Sequence, residues 1–494
     1  MKTKILTLLI LFLGVNFSYA QEKKELTSME IADAIEDQFK FDHAVDVNKI
    51  KVTVNEGIAE LTGTVSNIKA KERATKLAEM VKGVRSVSNR IDVNPPVVLS
   101  DEGIKNSVEM ALRHDPAKDS YEEKVKVKKG NVTLNGVVDS YHEKELCADV
   151  AKSVNGVVKL TNLITIDYKT ERVDFEIENE IKEVLKWNEM VDDGLIDVEV
   201  KNGKVKLKGV VGSAAEKRNA RWSSWVAGVK DVDDSKLEVK WWAKDDDLRA
   251  NKNINVTDEE IAEAIKDAAF YDPRVYSFHI EPTVNGGWVT LRGTVNNLKA
   301  KKAAENLANN TLGVNGVINR IKVKGKQTPS DEEIEKKLES ALTLNSITEP
   351  WEIKTTVNNG IVTLSGTVDS YTEKNEAEWI ASGIDGVSAI DNLLNVNYPY
   401  SYYFYGPSPY YEWYHPTPPY SLTVRRPDDE AIKKQVENEL WWSPYVSSSQ
   451  VDVKVYNGEV TLEGKVDSWK EYEKAIENAW EGGAWSLNNK LTIE

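Results

Sequence analysis

The side chains that most often perform catalysis or bind metals are sparse in this sequence of 494 residues. The histidines occupy different positions relative to the repeats described below, and no metal-ligand spacing relates them. Acidic residues are so frequent, 80 in all, that no pair stands out as a general acid and base. We therefore expect no catalytic, cofactor or metal site and predict that the protein is not an enzyme. The five histidines are His43, His114, His142, His279 and His415.

A short segment with two glycines, six residues apart, recurs six times and could at first sight cradle a phosphate. One copy reads NNGIVTLSGTV, from Asn358 to Val368. A phosphate loop requires Gly-Lys-Ser/Thr at a helix start, and no copy continues in that way. The Asn-Gly pair and the alternating apolar positions are instead typical of a β-hairpin. The glycines are Gly57 and Gly63, Gly130 and Gly136, Gly203 and Gly209, Gly287 and Gly293, Gly360 and Gly366, and Gly458 and Gly464.

The two glycines of each hairpin have different predicted roles. The first, such as Gly360, occupies a type I′ turn, which requires a positive φ that glycine adopts without steric cost. The second, such as Gly366, lies on the same strand face as Val362 and Leu364. Because it has no side chain, we expect this glycine to let a helix lie close against the sheet.

Helical patterns flank each hairpin. Ile334, Leu338 and Leu342 recur every four residues and indicate a helix with one apolar stripe. After the hairpin, four copies begin a second helix with Ser-x-x-Glu, the capping-box spacing, as at Ser370 and Glu373. A short final strand follows. Each copy is therefore predicted to be an α+β unit, helix-strand-strand-helix-strand, with a three-stranded sheet and two helices on one face.

The residue pattern of these units resembles the BON domain family, named for bacterial osmotically inducible and nodulation proteins. It includes the V-x-V-x-x-G-x-V-x-L-x-G-x-V hairpin and a G-V-x-x-V-x-N-x-I-x-V ending, as at Gly83, Asn89 and Ile91. Unit 6 departs from the ending, since EGGAWSLNNKLTI lacks the Gly-Val step. The resemblance implies a periplasmic, non-enzymatic module associated with osmotic stress, envelope integrity and phospholipid contact. The six predicted units span 26–95, 99–168, 174–240, 257–325, 330–398 and 427–494.

The six units form two related blocks of three. Unit 1 resembles unit 4, unit 2 resembles unit 5 and unit 3 resembles unit 6; GTVSNIKAKERA, for example, pairs with GTVNNLKAKKAA. This order indicates a three-unit ancestor that was duplicated in tandem. A charged linker is predicted at 241–256 between the blocks, and a Tyr/Pro-rich insertion at 399–426. We expect the insertion to pack over units 5 and 6; a loop that docks a partner or a glycan is the alternative.

The first twenty residues have the basic start, the short apolar run and the small residues of a signal peptide, with cleavage predicted after Ala20. The mature protein is expected in the periplasm and not to span a membrane, because it has no further apolar run of spanning length. The single cysteine, Cys147, excludes an internal disulfide framework and is expected to be a small buried residue. A net charge of -16 argues against nucleic acid as a partner.

Basic side chains on the second helices of units 1 and 4 are the sharpest candidates for lipid contact. Near an anionic surface each could contribute about 1 kcal/mol, and less in salt. The alternative is an ordinary solvated helix face. The candidates are Lys69, Lys71, Arg73 and Lys76 in unit 1, and Lys299, Lys301 and Lys302 in unit 4.

Tryptophans concentrate in and near units 3 and 6. Trp222 and Trp225 are three residues apart on one helix face, which favours packing in a core or between units. An exposed cluster would instead indicate a membrane interface or a carbohydrate surface.

The leading functional hypothesis is osmotic or envelope-stress protection through weak, multivalent contact with phospholipid or envelope proteins. The alternative is a scaffold or holdase that binds exported proteins through sheet edges or apolar patches. The oligomeric state stays open.

Overall fold

A computed structural model describes residues 26–42, 44–96, 98–114, 124–168, 171–240, 243, 256–272, 274–275, 279–325, 329–396 and 428–493. The predicted signal peptide, its cleavage point, the Tyr/Pro-rich insertion and nearly all of the linker lie outside these residues. Within them, the order helix, strand, strand, helix, strand occurs six times. The predicted α+β class and unit architecture are confirmed.

Each unit begins with one helix and has a second helix between its second and third strands. Capping boxes start several first helices, as at Thr27 with Glu30 and Ser330 with Glu333. The first helices are α1 (Ser28–Phe41), α3 (Asp101–His114), α5 (Asp174–Trp187), α7 (Asp258–Tyr271), α9 (Asp331–Leu344) and α11 (Asp429–Trp442). The second helices are α2 (Ile68–Met80), α4 (Tyr141–Ser153), α6 (Ala214–Ser223), α8 (Leu298–Asn309), α10 (Tyr371–Ser382) and α12 (Trp469–Glu481).

Each sheet has the second strand in the centre, antiparallel to the first strand and parallel to the third. The third strand of unit 4 is interrupted and forms two short strands. Unit 6, whose ending departs from the repeat pattern, still forms a full third strand. The strands of units 1 to 3 are β1 (Ile50–Asn55), β2 (Ile58–Val65), β3 (Ser86–Val93), β4 (Lys124–Lys128), β5 (Asn131–Val138), β6 (Lys159–Ile166), β7 (Ile196–Lys201), β8 (Lys204–Val211) and β9 (Asp231–Val239). Those of units 4 to 6 are β10 (Ile280–Asn285), β11 (Trp288–Val295), β12 (Gly316–Asn319), β13 (Lys322–Val323), β14 (Ile353–Asn358), β15 (Ile361–Val368), β16 (Ala389–Val396), β17 (Val451–Tyr456), β18 (Glu459–Val466) and β19 (Ser486–Ile493).

The hairpin turns have the predicted conformation. Asn359 and Gly360 have φ angles of 51° and 73°, and two consecutive positive φ values define the type I′ turn. The second glycine has a different reason from the one predicted. A Cβ at Gly366 would lie 2.0 Å from the carbonyl oxygen of Glu352, which directly precedes β14. The glycine makes room for the neighbouring backbone at the start of the first strand, not for a helix.

Both helices of a unit cover the same face of its sheet and enclose the core. In unit 5 the buried residues of β15, Val362, Leu364 and Val368, join Leu338 of α9 and Ala377 of α10 in one cluster. Cys147 is buried in the corresponding cluster of unit 2, as predicted. The alternate strand residues point away from the helices and are largely exposed. Each unit therefore has a buried inner sheet face and an open outer sheet face.

Each block closes into a ring, because the first residue of every second helix packs on another unit of the same block. In the first block, Ile68 enters the core of unit 2, Tyr141 packs on the core of unit 3, and Ala214 enters the core of unit 1. In the second block, Leu298 enters the core of unit 5. Tyr371 stacks on Trp480 of unit 6, and the backbone N–H of Trp469 donates to Val314 of unit 4. Each unit contacts the next one head to tail, and the third unit contacts the first, so the three units of a block form a closed ring.

In the part of the chain that the structure describes, three equivalent junctions join the two rings, between units 1 and 6, units 2 and 5, and units 3 and 4. At the 2–5 junction, Val154 and Asn345 form an antiparallel bridge; at the 3–4 junction, Asn188 and Thr311 do so. At the 1–6 junction, the Gln38 amide donates to Glu439 over 2.5 Å. The six units are therefore joined by contacts within and between the rings.

Candidate functional site

Arg73 lies between units instead of on an open helix face. Its guanidinium donates to Asp42 of unit 1 over 2.6 Å and to Glu481 of unit 6 over 2.5 Å. Burial disfavours the positive charge, but the two carboxylates outweigh burial and raise the pKa of Arg73 above its usual range. The residue therefore links the two rings at the 1–6 junction.

The predicted lysines of unit 1 have three different environments. Lys69 Nζ lies 4.0 Å from the carboxylate of Asp149 in unit 2, and its side chain is largely buried. Burial lowers the pKa of Lys69 and Asp149 raises it, with a net increase. Lys71 donates to the carbonyl of Ile91 within unit 1, over 2.5 Å. Lys76 is exposed.

In unit 4, two of the three predicted lysines contact unit 5. Lys299 Nζ lies 4.1 Å from the ring centroid of Trp379, a cation–π geometry, and only 9% of the residue is exposed. Lys302 donates to Glu378 over 2.6 Å. Lys301 is half-buried on the same helix. Most of these basic side chains therefore join units, and few are left to meet an external surface.

A different basic surface lies on the outer face of the unit 2 sheet, and the sequence reasoning did not single it out. Lys124, Lys126 and Lys128 are exposed on β4, where they alternate with Val125 and Val127, whose side chains point inward. This Lys-Val alternation was the available signal. The sequence pattern drew attention to the basic residues of the second helices, because the contacts that several of them make with other units are not visible in the sequence.

Register places a fourth lysine on this surface. Lys128 is opposite Asn131, and Asn131 is opposite Lys159 on β6, so the three residues form one row across the sheet. Strand spacing puts the Cα atoms of Lys128 and Lys159 about 10 Å apart. None of the residues that the described strands of unit 2 contribute to this face is acidic. Its lysines are therefore not neutralised within the sheet.

Two apolar side chains lie on the same face. Val137 is 53% exposed and Leu163 is 55% exposed. Both share the face of the lysines, since Leu163 is opposite Asn135, which is opposite Lys124. The unit 2 outer face, defined by Lys124, Lys126, Lys128, Lys159, Val137 and Leu163, combines positive charge with accessible apolar surface.

Comparison with known proteins identifies the repeated unit. The model of the BON domain matches residues 28–95, 100–168, 173–240, 257–325, 330–398 and 428–494. The chain belongs to the BON domain family. The resemblance expected from the hairpin glycines and the strand ending is thereby confirmed.

One relative of this BON protein is osmotically-inducible protein Y of Escherichia coli (strain K12). The two are 27% identical over 189 residues, which cover 37% of this chain and 87% of that protein. Among solved structures, the C-terminal domain of CdsD, a structural protein of the Type III secretion system of Chlamydia trachomatis, aligns with 44% of this chain and 100% of its own. That alignment has 16% identity and a TM-score of 0.12.

The outer sheet faces distinguish the BON domains from one another. In BON domain 3, lysines such as Lys201 and Lys204 share the face with Asp197, Glu199 and Asp231. In BON domain 5, the counterpart of BON domain 2, the face has Lys354 together with Asp391. The uninterrupted basic character of the unit 2 outer face is thus a property of one domain and not of the repeat.

The described residues contain no group of three or more His, Cys, Asp or Glu side chains placed to hold a metal ion. Among the described helices, none has the length and apolar character needed to cross a membrane. Trp225, 7% exposed, stacks on Tyr141 of BON domain 2 with ring centroids 3.7 Å apart. The predicted packing between units is therefore confirmed for Trp225, whereas Trp222 is 41% exposed.

Proposed function

We propose that this BON protein acts in the periplasm in osmotic or envelope-stress protection, and that it binds anionic phospholipid surfaces through the unit 2 outer face. The observation that carries the proposal is the group of four exposed lysines on a face without acidic residues, beside Val137 and Leu163. Lysines provide attraction to phosphate headgroups, and the apolar side chains provide contact with the region just below them. The relationship to an osmotically inducible protein supports the stress-related role.

The expected affinity of one such contact is low. Four lysines near an anionic surface contribute about 4 kcal/mol at low salt, which corresponds to a dissociation constant of about 1 mM. The net charge of -16 repels the rest of the molecule from the same surface. Binding is therefore expected to be oriented, weak and sensitive to salt, and to become effective where several copies of the protein act together.

Vesicle flotation tests the proposed contact. The full-length mature protein is mixed with vesicles of phosphatidylcholine alone or with added phosphatidylglycerol, at about 50 mM and about 300 mM salt. We expect flotation only with phosphatidylglycerol and only at the lower salt concentration. The double variant Lys124→Glu/Lys126→Glu is expected to abolish flotation.

The matched control places the same charge change on another sheet. Lys201→Glu/Lys204→Glu lies on the outer face of BON domain 3, where acidic residues are already present. It is expected to retain most of the binding. Equal loss in both double variants would show that net charge alone matters and would contradict a dedicated face.

A third variant distinguishes the helix lysines from the sheet lysines. Lys301→Glu/Lys302→Glu removes the contact of Lys302 with Glu378. We expect a lower melting temperature but unchanged flotation of the folded protein. If Lys301→Glu/Lys302→Glu lost flotation and Lys124→Glu/Lys126→Glu retained it, the second helices and not the unit 2 outer face would be the lipid contact. Suppression of client aggregation without any flotation would favour a holdase.

A further inference from the structure

The three junctions between the rings are equivalent in the repeat but differ greatly in the space they enclose. A cavity of about 860 Å³ lies at the 3–4 junction, whereas those at the 2–5 and 1–6 junctions are about 70 Å³ and about 10 Å³. The larger space, called here the 3–4 cavity, therefore needs its own explanation.

The difference in volume follows from the side chains at the junctions. At the 1–6 junction, the long side chains of Gln38 and Glu439 meet and bond across the boundary. Ala268 of unit 4 and Val184 of unit 3 line the 3–4 cavity at the corresponding helix positions. Smaller side chains leave the boundary open. The volume lies within the range of about 300–1,000 Å³ that is common for small-molecule sites.

Aromatic rings form one part of the cavity lining. Trp187, Trp222 and Trp225 all line it. Trp222 is 41% exposed, so part of its ring remains accessible to an incoming molecule. His142 packs edge-on against Trp222 with ring centroids 5.0 Å apart, and burial lowers the pKa of His142 to about 4. The imidazole is therefore neutral at ordinary pH and adds no charge to this part of the lining.

Buried polar atoms on residues that line the cavity lack partners. Among the described residues that line the cavity, His142 Nδ1, Trp225 Nε1, Glu180 Oε1 and Asn310 Oδ1 have no hydrogen-bond partner. Trp225 is 93% buried and Glu180 is 92% buried, as their exposed fractions are 7% and 8%. Buried polar groups in native proteins are almost always bonded. Hydroxyl groups can satisfy donors and acceptors alike, because a hydroxyl both donates and accepts.

The cations that line the cavity are already paired with carboxylates. Arg172 contacts Glu180, and Arg274 contacts Asp272 over 2.5 Å. Lys470 contacts Glu473 over 3.2 Å, and Lys474 contacts Glu477. An anionic ligand would have to compete with these carboxylates for each cation. An acyl chain would offer no hydrogen-bond partner to the unpaired polar atoms of Trp225, Glu180 and Asn310.

We propose that the 3–4 cavity binds a short neutral oligosaccharide. Indole rings provide flat apolar surfaces for the faces of sugar rings, and small rotations of the lining side chains would bring the unpaired polar atoms, which are closed to solvent, to hydroxyl groups. Exposed amide side chains at Asn179 and Asn306 add donors and acceptors where the cavity lining reaches the surface. The site is separate from the unit 2 outer face, so either proposal can fail without the other.

Calorimetric titration of the full-length mature protein with maltotriose, cellotriose and chitotriose tests the site, with tryptophan fluorescence as a second signal. At least one trisaccharide is expected to bind and to shift the fluorescence. Trp222→Ala should weaken that binding about tenfold or more, since it removes an accessible aromatic contact. Ala264→Phe, which inserts a ring into the cavity lining, should abolish it.

The control is Trp351→Ala, which removes a tryptophan that is 78% exposed in unit 5 and does not line the cavity. It should bind as the unaltered protein does, and melting temperatures identify any variant that fails to fold. The proposal is overturned if no trisaccharide binds at about 10 mM or below, taken as the weakest useful affinity. It is also overturned if Trp222→Ala and Trp351→Ala behave alike, or if dodecanoate or glycine betaine binds at this site in place of the sugars.

Discussion

At the scale of single residues, the two glycines of the hairpin serve backbone geometry. Gly360 has a positive φ in the turn, and a Cβ there would lie 2.7 Å from the carbonyl of Gly386. Gly366 has a φ of 131° and lies against the backbone of Glu352. The same close approach occurs at Gly63, Gly209 and Gly464, each against the residue before its first strand. The second glycine of each of these hairpins is thus required because the backbone before the first strand lies too close to leave room for a Cβ.

We predict that Gly366→Ala is severely destabilising. The new Cβ would meet the Glu352 oxygen at 2.0 Å, a backbone atom that cannot move away without disturbing β14. We expect a loss of about 3 kcal/mol or more in the free energy of unfolding. Gly286→Ala is the control, since Gly286 has a positive φ but a Cβ there would have no heavy atom within 4 Å. It should cost only about 1 kcal/mol of backbone strain. Urea denaturation measures both, and similar losses would contradict the steric explanation.

At the scale of elements, an aspartate in the first turn of the first helix holds the hairpin turn. In unit 3, Asp174 accepts hydrogen bonds from the backbone N–H groups of Asn202, over 2.7 Å, and Gly203, over 2.8 Å. These contacts attach α5 to the β7–β8 turn. Unit 1 is the exception, since it has Ser28 in place of the aspartate. The other units use the same contact, through Asp101, Asp258, Asp331 and Asp429.

We predict that the contribution of Asp174 to stability depends on pH. The turn amides favour the carboxylate and lower the pKa of Asp174 below 3.8. Its stabilisation is therefore present above the unfolded pKa and is lost as pH falls through the lower folded pKa. Asp174→Asn should lower the melting temperature at about pH 7, and the difference from the unaltered protein should shrink below pH 3.8. Asp197→Asn, on the exposed face of β7, is the control and should have little effect at either pH.

At the scale of the whole molecule, the junctions bury groups that an isolated unit would leave in water. Glu439 is 2% exposed at the 1–6 junction and accepts hydrogen bonds from Gln38 and Gln435. Burial, together with repulsion from Glu481, raises the pKa of Glu439 to about 8. The 1–6 junction therefore buries a carboxyl group, that of Glu439, whose ionised form is disfavoured.

We predict that this junction weakens as pH rises. The folded pKa of about 8 exceeds the ordinary value of 4.5, so the folded state favours the protonated form. The stabilisation is complete below pH 4.5 and is lost as pH rises through 8. Glu439→Gln keeps the shape without the charge, so its melting temperature relative to the unaltered protein should rise between about pH 5 and about pH 9. Glu437→Gln, on the exposed side of α11, should show no such rise, and a parallel rise would contradict the assignment.

Much of a single unit could be predicted from sequence because its signals are local. The Asn-Gly turns, the capping residues and the four-residue apolar stripes each depend on neighbouring positions. The candidate site could not be predicted in the same way. Lys69 and Lys299 look like solvated helix residues, yet they contact Asp149 and Trp379 of other units. Those partners lie about eighty residues away in the chain, and only closure of the ring brings them together.

The sequence by itself determined that the chain consists of six BON domains in two related blocks, because period and hairpin chemistry repeat along it. Only the tertiary structure decided which faces remain open. Packing of the second helices places most of the predicted basic residues in contacts between units and leaves the outer sheet faces exposed, among them the four lysines of unit 2. It also decided which junction stays hollow, since the 3–4 cavity depends on side chains from separate units. Surfaces and cavities are products of packing between distant segments, which a local pattern does not encode.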